Sequence, residues 1–153
     1  MLIQQLNRAD AERVQLVVRN VDGGGSITTG MGAALVATAA SGDGINAVRT
    51  TATAGNANNF CGVAVADIAI NAYGLVTAWG YAASVLISQS VGSYTITAGD
   101  VLIQGATQAG AFTSVVTNAA LSTAMYKYIV AVGALADTIS NPRPYLSAIV
   151  RAL

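Results

Sequence analysis

The chain has no histidine, a single cysteine, two prolines, and only 9% Asp, Glu, Lys and Arg in its 153 residues. Without histidine there is no ordinary general base near neutral pH, no Ser-His-Asp or Cys-His arrangement, and none of the commonest metal ligand. Most hydrolase templates are excluded at once. The lone Cys61 cannot close an intramolecular disulfide, and its place between Phe60 and Val63 reads as a small buried hydrophobe, not a reactive thiol. The shortage of charge is the most informative lack. Globular domains carry roughly a quarter of their residues as charged side chains, because their surface faces water. From Thr50 to Tyr126 this chain has only Asp67 and Asp100. Much of its surface is expected to face protein, which makes it a building block before anything else.

The remaining chemistry is sparse. Seven carboxylates are dispersed along the chain, most beside glycines or in expected turns. Asp67 and Asp100 would have to meet across a cleft to serve as a glycosidase pair. Ala66-Asp67 and Gly99-Asp100 read instead as turns whose carboxylate accepts a nearby backbone N–H. Asp22-Gly23-Gly24-Gly25-Ser26 lacks the Gly-Lys-Ser/Thr ending that grips phosphate. Asp43 stands without the series of oxygen ligands that a calcium loop needs. The chain is therefore read as a non-enzyme without cofactor or metal. Formal net charge is zero and the basic residues are scattered, so no stripe is available to a phosphate backbone, and nucleic acid is not an expected partner.

Ile68 to Ile87 is free of charge and long enough to cross a bilayer as a helix. Asn71, Gly74 and Gly80 interrupt it, and no Lys or Arg flanks it closely. Its alternation is that of strand: Leu75, Thr77, Trp79, Tyr81, Ala83, Val85 and Ile87 share one face, and both faces read as covered. No membrane span is expected, and the polar N-terminal stretch gives no sign of a secretory leader. Tyr73, Trp79 and Tyr81 could stack a sugar or base, but aromatics at this spacing serve more often as core or interface anchors.

The rest has the rhythm of an all-β chain, with β-branched or aromatic runs between small polar turns. Strands are expected at Val14–Val21, Gly32–Ala40, Phe60–Val65, Leu75–Trp79, Ala83–Ser88, Tyr94–Thr97, Val101–Gln104, Ala111–Val116, Tyr126–Val132 and Tyr145–Leu153. Thr50 to Asn59 reads as a small polar connection, and turns are expected at Asp22–Gly25, Ser41–Gly44 and Asn141–Pro144. Gly32–Ala40 could also be a short helix, but the foremost place for one is Asn118–Met125, with Asn118 as N-cap, unless it leads straight into a strand. The fold class is a single β-barrel or sandwich-like domain over residues 14–153. Residues 1–13 stand apart, with Arg8, Asp10, Glu12 and Arg13 following Leu2, Ile3 and Leu6. They suit either an amphipathic arm lying on a neighbouring subunit or a first helix packed on its own domain. If they form an arm, Leu2, Ile3, Leu6, Arg8 and Arg13 are its contact residues.

Phe60-Cys61-Gly62-Val63-Ala64, Asp67-Ile68, Tyr73-Gly74-Leu75-Val76, Gly80, Ile96 and Ala98-Gly99-Asp100-Val101-Leu102 together resemble the pattern of small tailed-phage capsid decoration, or cement, proteins. The resemblance covers Phe60 to Gln104 and rests largely on turn grammar; the remainder of the chain has no such counterpart. It implies a compact β-barrel and a non-enzymatic virion protein on the outer surface of an icosahedral capsid. Such a protein bridges and stabilises major capsid protein subunits, commonly as a homotrimer. Other virion subunits (coat, tail-tube or head-completion) share the same composition argument. Outside assembly, the alternative is a soluble ligand-binding barrel with Trp79, Tyr73 and Tyr81 around its pocket.

Overall fold

The computed structural model describes residues 13–37, 44–51, 59–88, 94–104, 108–114, 128–133, 135–137 and 145–152. It is all-β, with no helix among the described residues. The strands are β1 (Val14–Asn20), β2 (Gly32–Leu35), β3 (Asn46–Arg49), β4 (Phe60–Ala64), β5 (Tyr73–Leu86), β6 (Tyr94–Ile96), β7 (Val101–Gln104), β8 (Phe112–Ser114), β9 (Tyr128–Ala131), β10 (Leu135–Asp137) and β11 (Tyr145–Arg151). The first five close on themselves in the order β1-β3-β2-β4-β5, and β5 pairs back onto β1. Every contact in this ring is antiparallel except β1 with β3. Closure removes the free edges that an open sheet would leave.

A five-stranded barrel is narrow, so its interior must be filled by small side chains. The sequence supplies them: Ala33, Ala47, Cys61 and Ala64 point inward with Val18 and Val76. Cys61 is buried, and its thiol donates to the Ala33 carbonyl at 3.4 Å, in keeping with the expectation of a core residue. Ile27 and Ile68 exchange backbone hydrogen bonds (3.0 and 2.8 Å) and plug the barrel. The fully buried Asn20 secures that plug by donating to the carbonyls of Ile68 (2.9 Å) and Gly25 (3.1 Å) and accepting the Asp22 N–H (2.9 Å).

The second half of the sheet runs β5-β11-β9-β7-β8 and curls until β8 meets the end of β5. Ile87 bridges Phe112 there, and the Ser88 N–H donates to the Phe112 carbonyl at 2.6 Å. It encloses a separate core of Phe60, Val85, Leu102, Phe112, Ile129 and Val150 with smaller neighbours. β4 and β5 are the wall between the two cores. In β4 a bulge at Cys61–Gly62 lets Phe60 and Val63 face one core while Cys61 and Ala64 face the other.

Three expectations are corrected. Leu75–Trp79 and Ala83–Ser88 are not separate strands but parts of the 14-residue β5. Gly80, at φ +98°, bends the strand without ending it, and register shifts against β1 and β11 flank the bend. The strand expected over Gly32–Ala40 ends at Leu35, with residues 38–40 outside the described set. Both faces of the Leu75–Ile87 stretch were expected to be covered; Thr77, Val85 and Ile87 on the second face are indeed buried, but Leu75 and Ala83 on it are not. Val76, Ala78, Gly80 and Ala82 are buried, while Tyr73, Leu75 and Ala83 are exposed. Asn46–Arg49 and Leu135–Asp137 are strands that the pattern did not reveal. The expected helix at 118–125, the turn at 141–144 and most of the turn at 41–44 fall outside the described residues. Among the described residues no helix is long and apolar enough to cross a membrane.

Candidate functional site

The outward face of β1, β5 and β11 is built by strand register, which brings distant residues side by side. Pairing of β1 with β5 sets Arg19 opposite Tyr73, Val17 opposite Leu75 and Val14 opposite Trp79. Pairing of β11 with β5 sets Ile149 opposite Tyr81 and Arg151 opposite Trp79. Beyond β11, Val130 lies opposite Ile149 and Val101 opposite Val130, so the apolar row crosses to β9 and β7. Directly opposed residues on one face of a sheet touch, so these form a continuous band. Its β1–β5 end stands open: Tyr73 is 66% exposed, Val17 58% and Leu75 42%. Val14 and Ile149 are exposed as well.

The charges in this band sit on rings. The Arg151 guanidinium lies 4.8 Å from the centroid of the Trp79 ring, and that of Arg13 lies 5.5 Å from the centroid of Tyr81. Both distances are within cation–π range. Arg19 donates to the Asn71 Oδ1 at 3.3 Å. Asn71 itself takes φ +63° in the turn that launches β5, a conformation asparagine tolerates better than most residues. Trp79 and Tyr81, expected as contact residues, therefore lie together on this face, and Arg13 joins them. Leu2, Ile3, Leu6 and Arg8 lie outside the described residues. Tyr73 was read with Trp79 and Tyr81 as a core or interface anchor in preference to a stacking residue, whereas Arg19, Arg151, Val17, Leu75 and Ile149 were not expected at an interface. Only the pairing register shows that they are neighbours.

A pocket of about 110 Å³ opens beside the band, between Arg13, Gln15 and Tyr81 on one side and Thr29, Val65 and Thr77 on the other. It is smaller than the roughly 300–1,000 Å³ that holds a typical organic ligand. Tyr81 contributes to its wall, but Tyr73 and Trp79 do not, so the three aromatics expected around a pocket do not converge on this one.

The carboxylates are used in holding loops. Asp22 receives Arg49 at 2.8 Å and the Gly24 N–H at 2.8 Å. Burial pushes the Asp22 carboxyl up, but the hydrogen bonds from Arg49 and the backbone N–H of Gly24 outweigh it and hold the group below its ordinary value. Asp67 accepts the backbone N–H (2.7 Å) and the hydroxyl (2.9 Å) of Thr29. The backbone hydrogen bond is the larger reason its carboxyl also lies low. Its partner is thus across the fold and not in its own turn, as had been expected. Asp100 does follow the expectation, accepting the Thr97 N–H at 2.8 Å. Asp22, Asp67 and Asp100 are each engaged in holding a loop, and no cluster of three or more His, Cys, Asp or Glu exists among the described residues. Comparison with known proteins finds no family model, no curated protein and no solved structure that matches this chain.

Proposed function

We propose that this chain is a structural virion protein that decorates an icosahedral phage capsid and stabilises it by bridging major capsid protein subunits. The observation that carries the proposal is the exposed apolar band of β1, β5 and β11, with Val17, Leu75, Tyr73 and Ile149 open to solvent in a single copy. Contiguous exposed apolar patches mark interaction surfaces. The low charge supports the same reading, since a charge-poor face can be buried without leaving ions unpaired. The resemblance across Phe60–Gln104 supplies the kind of assembly. The homotrimer and the outer surface of the capsid come from that resemblance alone.

Particles from cells producing the chain in its native context are separated on a density gradient and the fractions quantified by mass spectrometry. Co-migration with genome-filled heads, at a copy number close to that of the major capsid protein, is the expected result. A copy number far lower points to a tail-tube or head-completion subunit, and absence from every particle fraction overturns the proposal. Removing residues 1–13 tests the arm: loss of particle binding with the barrel still folded is expected, and unchanged binding removes the arm from the account.

A further inference from the structure

The pocket of about 110 Å³ lies where β5 leaves the closed ring. β4 pairs with β5 only at Val63 with Thr77 and Ala64 with Val76, whereas from Trp79 onward β5 bends at Gly80 and runs with β11. Gly30 spans the gap that opens between them, its N–H donating to the Ala64 carbonyl and its carbonyl accepting the Leu86 N–H, both at 2.9 Å. Thr29 closes one side, pinned by Asp67 through its backbone N–H and its hydroxyl. On the other side the β1–β5 register shifts between Val14 and Gln15, which sets Gln15 opposite Thr77 and brings Arg13 into the lining. The pocket is thus a consequence of how the two cores are joined.

Its lining divides by chemistry. Val63, Val65 and Ala82 are aliphatic, Gln15 and Ser84 are polar, and Arg13 is the single charged residue. The Arg13 guanidinium lies on the Tyr81 ring and has no carboxylate partner among the described residues. A cation held over a ring still has N–H groups to offer an acceptor. A cavity of about 150 Å³ holds one benzene, so the space of about 110 Å³ takes a group of about four or five heavy atoms. A carboxylate on a stem of one or two carbons has that size and uses both kinds of wall. Phosphate would leave the aliphatic wall without a partner and meet one cation only, and an ammonium group would be repelled by Arg13. We propose that this pocket binds a carboxylate on a short aliphatic stem, with Arg13 pairing its oxygens and Val63, Val65 and Ala82 receiving the stem. A free short-chain acid and the Asp or Glu side chain of a neighbouring protein present the same group. The proposal goes beyond the capsid reading, because it stands on the pocket and not on the band.

The purified full-length chain, isotopically labelled, is titrated with propionate, with propylammonium and with inorganic phosphate while its backbone amide shifts are followed. Saturable shifts at Gln15, Thr29, Val65 and Ala83 are expected with propionate, in the millimolar range that about five heavy atoms allow. Arg13→Gln should weaken this binding about tenfold, through the loss of a charge-assisted hydrogen bond. Arg13 is exposed, and an unchanged melting temperature verifies that the variant folds. No saturable response to propionate, an equal response to propylammonium, tighter binding of phosphate, or unchanged affinity in Arg13→Gln overturns the proposal. Asp10 and Glu12 stand beside Arg13 in the sequence, so the chain carrying Asp10→Asn and Glu12→Gln is titrated in parallel. Binding of propionate to that variant alone would show that the chain's own carboxylates hold the site, and overturns the proposal too. A glycine-flanked Glu peptide with blocked ends separates the two sources. Tighter binding than propionate at the same amides assigns the site to a protein side chain, and binding no tighter assigns it to a free acid. Absence from particle fractions with the propionate response intact removes only the capsid reading.

Discussion

Gly62 shows what a single residue decides in this fold. It takes φ +151°, and a Cβ there would stand 2.5 Å from the Thr77 carbonyl oxygen, against backbone that cannot swing away. Gly62→Ala should therefore cost about 2 kcal/mol by denaturant unfolding, whereas Gly23→Ala, with nothing nearby, should be close to neutral. Asn20 is a second such point, since it satisfies two carbonyls at the barrel plug. Asn20→Ala should cost about 2 kcal/mol because those buried groups lose their partner. Asp22 adds a pH signature. Its folded pKa lies below the ordinary value of 3.8, so its contribution is fully present above that value and is lost as pH falls through the folded one. Stability measured from pH 6 downward should fall on approaching that acid range, and Asp22→Asn should remove this component while lowering neutral-pH stability by about 1 kcal/mol. Asp67, also lowered, contributes with the same sign. At this scale the sequence was readable where chemistry is local: Cys61 as core and Asp100 as a turn residue follow from their neighbours. The partner of Asp67 was not, because Thr29 comes to it only through the paired Ile27 and Ile68 segments.

Among the elements, β5 organises both cores, and it is also where the sequence misleads. Glycine in a strand pattern usually signals a break, so Gly80 divides the stretch on paper; in the fold its left-handed φ bends a continuous strand from one core toward the other. The runs at β1, β4, β7 and β11 were legible because each is mostly apolar and bounded by turn residues. Asn46–Arg49 and Leu135–Asp137 were not, being short and defined by the partners they pair with. The closure of the second core depends on β8 through Phe112, which packs edge-to-face on Phe60 with centroids 5.8 Å apart. Phe112→Ala should cost about 3–5 kcal/mol. Amide hydrogen exchange should quicken at Ser88 and Gly32, whose N–H groups bond the carbonyls of Phe112 and Gly110. Unchanged exchange at Ser88 would mean that β8 does not hold the end of β5.

For the whole molecule, the low charge that dominates the sequence acquires a location. Composition predicts that much of the surface faces protein but names no surface; the strand register collects Val17, Leu75, Tyr73, Trp79 and Ile149 into one outward band. The closed barrel beneath it makes that band rigid, and a preorganised face binds without a large ordering cost. A charge placed on its open apolar end should therefore abolish association without unfolding the chain. Leu75→Glu, 42% exposed in the free chain, should keep its melting temperature within a few degrees. The most direct test of the band as an interface is hydroxyl-radical footprinting of the chain, free and in purified particles, read residue by residue by mass spectrometry. Strong protection of Tyr73, Leu75, Trp79 and Ile149 in the particle, with the exposed Ile70 unchanged, is the result predicted. Equal reactivity of those four residues in both states would contradict the account.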